Sequence, residues 1–84
     1  MDVKVAVLAA KKHLQNVFDG EGIKPPSLEE VWLDQRKHEW CVTLAIRRPG
    51  GTFAGLNLAE YKTVRLRDSD GSLVSIRSRE LSGT

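Results

Sequence analysis

Apolar residues recur along the chain at two different periods. Val3, Ala6, Val7, Ala10, Leu14, Val17 and Phe18 follow the three- and four-residue spacing of one helix face, which predicts an amphipathic helix over residues 3–18. The Asp2 carboxylate is placed to cap its first turn and to sit at the positive end of the helix dipole. Gly20 or Gly22 can take the left-handed conformation that ends a helix, and Pro25-Pro26 forbid its continuation. Lys4, Lys11, Lys12 and Gln15 fall on the wetted side. Further on, the period shortens to two. Trp40, Val42, Leu44 and Ile46 alternate with Cys41, Thr43 and Ala45 as far as the stop at Pro49-Gly50-Gly51, and Val31 and Leu33 alternate with Trp32 and Asp34. Ser27 with Glu30 three residues later imitates a helix capping box. The alternation argues instead for two strands, at about 31–34 and 39–47, joined through Gln35-Arg36-Lys37-His38.

A second pair of strands is written into residues 61–80, YKTVRLRDSDGSLVSIRSRE. If Val64 and Leu66 face the core, their partners are Ile76 and Val74, and that register needs an odd number of loop residues. Ser69-Asp70-Gly71, with Gly71 left-handed, supplies the common three-residue hairpin. A two-residue turn at Asp70-Gly71 sets Arg65 opposite Ile76 and loses apolar burial. The favoured register places Arg65 opposite Ser75, Thr63 opposite Arg77 and Tyr61 opposite Arg79, so that Arg65, Arg67, Arg77 and Arg79 share one outer surface.

These elements predict an α+β domain in the order α-β-β-β-β, one N-terminal amphipathic helix packed on a four-stranded antiparallel sheet. The helix covers Trp40, Val42, Leu44, Ile46, Val64, Leu66, Val74 and Ile76. The other face stays open, with Trp32, Cys41, Thr43, Tyr61, Thr63, Arg65, Arg67, Ser75, Arg77 and Arg79 on it. The connection over 48–60, with glycines at 50, 51 and 55 and with Phe53, Leu56 and Leu58, is longer than most in a compact domain; it is expected either to tuck its apolar residues against the core or to carry function.

The alanine-rich helix AVLAAKKHLQNVF, the strand EWCVTLAI built around an aromatic residue and the hairpin VRLRDSDGSLVSI, with an acid and a glycine at its turn, resemble a PepSY-type domain. The chain is similar, too, to small uncharacterised bacterial proteins with the same helix, strand and hairpin. The resemblance implies a PepSY/cystatin-like arrangement and a non-catalytic binding or inhibitory role, as in modules that accompany peptidases. It carries over no catalytic residue. PepSY modules commonly sit outside the cytoplasm, and this chain differs from them in showing no export signal.

Composition narrows the classes further. Eighty-four residues are one domain, spanning 1–84, and a chain so short buries only about 60–65% of the surface that its unfolded form exposes. The balance of 40% apolar and 29% charged residues is that of a folded domain, and a net charge of +2 implies no nucleic-acid partner unless the basic residues cluster. Residues 1–13 lack the basic start and apolar run of a signal peptide, and no stretch approaches the roughly 18 apolar residues of a membrane span. With a single cysteine, a cytoplasmic location and no membrane association are expected.

Candidate chemistry is sparse. Cys41 as a nucleophile needs a histidine base beside it, yet His13 lies on the helix and His38 in a turn. Two histidines 25 positions apart make no zinc set. Glu29, Glu30, Asp68 and Asp70 are expected at solvated element ends, and PGGTFAG lacks the lysine of a phosphate-binding loop. The expectation is therefore a protein that is not an enzyme and uses no cofactor or metal. Arginine, tyrosine and exposed tryptophan are the residues enriched at binding hot spots, which makes Trp32, Tyr61, Arg65, Arg67, Arg77 and Arg79 the candidate binding residues. The plainer account is a solvated face whose arginine stems cover apolar area. As a binding surface, the face suits a protein partner or a second copy in a homodimer. Nucleic acid is the alternative, with bases stacked on Trp32 and Tyr61; Asp68, Asp70 and Glu80 count against it.

Overall fold

The structure is a computed structural model that describes residues 1–47 and 59–79. One helix, α1 (Val3–Val17), packs on an antiparallel sheet of β1 (Ser27–Asp34), β2 (Glu39–Ile46), β3 (Glu60–Arg67) and β4 (Leu73–Ser78). The strands lie in chain order, β1-β2-β3-β4. This is the expected α-β-β-β-β arrangement. The 48–60 connection falls outside the described residues except for Ala59 and Glu60, and so does Glu80.

Asp2 caps α1 as the sequence predicts, its carboxylate accepting the Val5 backbone N–H at 2.9 Å. Beyond the helix, Gly20 and Gly22 both take positive φ, 88° and 67°. Only Ala6, Ala10 and Leu14 of α1 are fully buried. They meet Val42, Leu44 and Ile46 of β2 and Val64 and Leu66 of β3, with Val7, Phe18, Val31, Trp40 and Ile76 packed at the margin. Val3 and Val17, expected on the buried face, are about half exposed. The buried side of the helix runs from Ala6 in its first turn to Leu14 in its last, and two alanines let it approach the sheet closely.

The first hairpin begins earlier than the alternation suggested. Strand β1 opens at Ser27, and a bulge at Glu29 separates the Leu28↔Leu44 pair from Glu30↔Thr43. Ser27 and Glu30 are thus strand residues and no capping box. The bulge is what hid the strand: an extra residue breaks the period of two. Gln35–His38 form the turn as expected, with the Asp34 carboxylate accepting the N–H groups of Arg36 and Lys37 at 3.1 and 3.3 Å.

In the second hairpin the register Val64↔Ile76, Arg65↔Ser75 and Thr63↔Arg77 is as expected. The device that sets it is different. Arg67 N–H donates to the Ser72 carbonyl at 2.9 Å and Gly71 N–H to the Arg67 carbonyl at 2.8 Å, so the loop is the four residues Asp68–Gly71. Leu66 then faces Leu73, and Val74 is left as a bulge, 39% exposed and no part of the core. The cause is Asp68. Its N–H donates to the His38 carbonyl of the first hairpin at 2.9 Å, and its carboxylate accepts the Trp40 indole N–H at 2.7 Å, which draws it out of the β3–β4 ladder. Gly71 is left-handed, as expected.

The Asp68 carboxylate also meets the Met1 ammonium at 3.3 Å. The Trp40 hydrogen bond, and then that ammonium, hold its carboxyl below the usual carboxylate range. Because the folded value is the lower one, the stabilisation is complete above the ordinary carboxyl pKa of about 4 and is lost as pH falls through the folded value. The urea midpoint is therefore expected to hold from neutral pH to about 5 and to fall below about 4. The fall should be shallower in Asp68→Asn; an equally steep fall in that variant would show that Asp68 has no part in it.

Candidate functional site

The face of the sheet away from α1 is built from four cross-strand rows. Nearest the two hairpin turns lie Asp34, Glu39 and Arg67. Trp32, Cys41, Arg65 and Ser75 form the next row, and Glu30, Thr43, Thr63 and Arg77 the third. Ser27, Ala45 and Tyr61 form the last, with the Arg79 N–H donating to the Tyr61 carbonyl at 2.8 Å. The strand alternation thus brings the six candidate residues Trp32, Tyr61, Arg65, Arg67, Arg77 and Arg79 onto one surface.

This surface is not uniformly basic. Arg65 Nη1 donates to Glu39 Oε1 at 3.0 Å and to Asp34 Oδ2 at 3.4 Å. Arg79 reaches across the sheet to the Glu30 carboxylate and to Thr43 Oγ1, the latter at 2.9 Å. Thr43 Oγ1 lies 3.1 Å from Thr63 Oγ1, so a polar chain runs from β4 to β1 over the central strands. Cys41, Thr43 and Ala45 are consequently buried although they point to the open side. Long side chains close over the short ones, and Trp32, at 48% exposure, stands clear.

Electrostatics follow the pairing. The Glu39 hydrogen bond raises the Arg65 guanidinium above its ordinary value. At Asp34, burial works to raise the carboxyl, but the Lys37 N–H, the Arg65 guanidinium and the Arg36 N–H together hold it lower than usual. Asp34 and Glu39 are directly opposite in the β1–β2 ladder, where like charges repel, and Arg65 bridges them. Burial pushes the Cys41 thiol up, toward the unreactive neutral form, and its ladder neighbours are Trp32 and Arg65, neither of them a base. Among the described residues no three His, Cys, Asp or Glu side chains gather as a metal-ligand set, and no helix is long and apolar enough to cross a membrane.

Of the acids on this face, Glu30 is the one that the sequence places elsewhere. The alternation is visible in the sequence only from Val31, which puts Glu30 at a solvated strand end, whereas the structure sets it mid-strand against Arg79. Asp34 and Glu39 lie within the expected strands 31–34 and 39–47 and share the parity of Trp32 and Cys41, so the alternation by itself sets them on this face. Lys37 lies in the connecting turn, as the sequence predicts. It borders two depressions, one lined also by His38, Arg67, Asp68 and Ser69, the other by Glu39, Arg65, Val74, Ser75 and Arg77.

No family model matches the chain, and no curated protein or solved structure was found to be significantly similar to it.

Proposed function

We propose that the chain is a non-enzymatic protein-interaction module, an accessory or inhibitory small protein that presents the open face of its sheet to a protein partner or to a second copy of itself. The observation that carries this reading is an exposed Trp32 on a face whose neighbouring side chains are already ordered: Arg65 by Asp34 and Glu39, Arg79 by Glu30 and Thr43. Tryptophan is a frequent energetic anchor of interfaces, and a surface whose side chains are fixed beforehand loses less entropy on binding. The role agrees with the one implied by the resemblance to PepSY domains. Glu30, Asp34 and Glu39 weigh against nucleic acid, since a phosphate chain laid across this face meets three carboxylates. We place the protein in the cytoplasm, where reducing conditions keep the lone Cys41 a free thiol.

Selection from a random peptide display library tests the reading. Enriched peptides should lose about tenfold or more in affinity on Trp32→Ala and be indifferent to Leu8→Ser, a change on the outer side of α1. A concentration-dependent dimer that Trp32→Ala dissociates would identify the partner as a second copy. Binders that ignore Trp32→Ala and are lost on Leu8→Ser would move the interface to the helix and defeat the reading.

A further inference from the structure

Resting on the open face as the binding surface, we infer that its half nearest the hairpin turns recognises an acidic stretch of a protein partner, through Arg67, Lys37 and Arg77. The charge inventory of the two depressions leads there. Arg65 is held by Asp34 and Glu39, and Arg79 by Glu30. Arg67, Lys37 and Arg77 form no ion pair with any described residue. The carboxylates that border the same depressions are already taken, Glu39 by Arg65 and Asp68 by the Trp40 indole and the Met1 ammonium. The further acid nearby is Asp70, its carboxyl held low first by Ser72 and also by the charge of Arg67. Among the described residues, three cations without an ion pair thus border depressions whose own carboxylates are engaged.

Their placement selects the ligand. Lys37 is common to both depressions, with Arg67 in one and Arg77 in the other, so a ligand that spans the two meets the cations in the order Arg67, Lys37, Arg77. The Lys37 backbone is fixed by its N–H bond to Asp34, at 3.3 Å, which holds the lysine at the junction. Arginine receives carboxylates in a planar fork, and Ser75, between Arg65 and Arg77, adds a hydroxyl donor. An extended peptide spaces its carboxylates along a neutral backbone and directs alternate side chains to one side. It can set charges on the three cations and still pass Glu39 and Asp68. A continuous phosphate chain cannot avoid them.

Anisotropy titrations with a fluorescein-labelled hexaglutamate peptide and a labelled hexathymidylate strand test this on the intact chain. Hexaglutamate is expected to bind, to weaken as salt is raised, and to lose about tenfold in affinity when Lys37→Gln and Arg77→Gln are combined. Arg36→Gln, in the same turn but bordering neither depression, should leave binding unchanged. Circular dichroism establishes that the variants remain folded. Tighter binding of hexathymidylate than of the peptide, equal sensitivity to Arg36→Gln, or absence of hexaglutamate binding would each overturn the inference. If displayed peptides depend on Trp32 while hexaglutamate does not bind, the open face stands as the interface and only its acidic preference falls.

Discussion

Replacing Leu14 with alanine is expected to remove about 3–5 kcal/mol of stability, a large share of the roughly 4–13 kcal/mol typical of a domain of this size. The size of the effect follows from how α1 is attached. Its fully buried residues are Ala6, Ala10 and Leu14, and only Leu14 projects a large side chain between helix and sheet. Ala6 and Ala10 set the close approach but bury little apolar area of their own. Truncating Leu14 removes the main anchor and leaves a cavity in the cluster it shares with β2 and β3, one that two alanines cannot fill. Val17→Ala, on the same helix but 55% exposed, should change stability by no more than about 0.5 kcal/mol. Urea unfolding followed by far-ultraviolet dichroism and tryptophan fluorescence measures both. A Leu14→Ala loss below about 1 kcal/mol would mean that the sheet does not depend on its helical cover.

The second large effect is expected at Gly71. Its φ of +72° is one that a β-branched residue strongly resists, and a Cβ placed there would lie 2.7 Å from Met1 Cε. The methionine methyl can move aside, so the backbone term dominates. Gly71→Val is expected to destabilise by about 2–3 kcal/mol. Asparagine visits the left-handed region more readily, and Gly71→Asn should cost less than valine. The Gly71 carbonyl also lies 2.9 Å from His13 Nε2, so a strained turn disturbs the contact between α1 and the hairpin as well. Equal losses for asparagine and valine, in the same unfolding experiment, would place the cost in crowding against Met1 and not in the backbone.

Periodicity carried most of the architecture, since a period of 3.6 and a period of two bury different residues and so distinguish α1 from the strands. It failed wherever one residue broke the count. Glu29 hides the first half of β1, and parity alone puts Val74 in the core because it cannot tell a bulge from a longer loop. The hydrogen bonds that select the bulge join Asp68 to His38 and Trp40, about 30 positions away, and no local pattern encodes them. The six candidate binding residues were legible as one surface by alternation. Their charge state was not, because the partners of Arg65 and Arg79 are on β1 and β2, 26 to 49 residues distant along the chain. The part of Lys37 is hidden for a related reason: its place at the junction of two depressions exists only once both hairpin turns meet at one end of the sheet.

The two bulges have a bearing on how the protein fares in a crowded solution. Strands β2 and β3 pair in unbroken register from Glu39↔Arg67 to Ile46↔Glu60, whereas each edge strand, β1 and β4, carries one irregularity. A bulged edge is a poor template for a further strand. Among the described residues, the edges also differ in the charge left without an ion pair, Glu29 on β1 and Arg77 on β4. The remaining combination, β1 of one molecule against β4 of another, is the one that would bring unlike charges together and propagate as a fibre. Glu30 and Asp34 already belong to Arg79 and Arg65 within the chain, so that growth has only Glu29 and Arg77 to draw on.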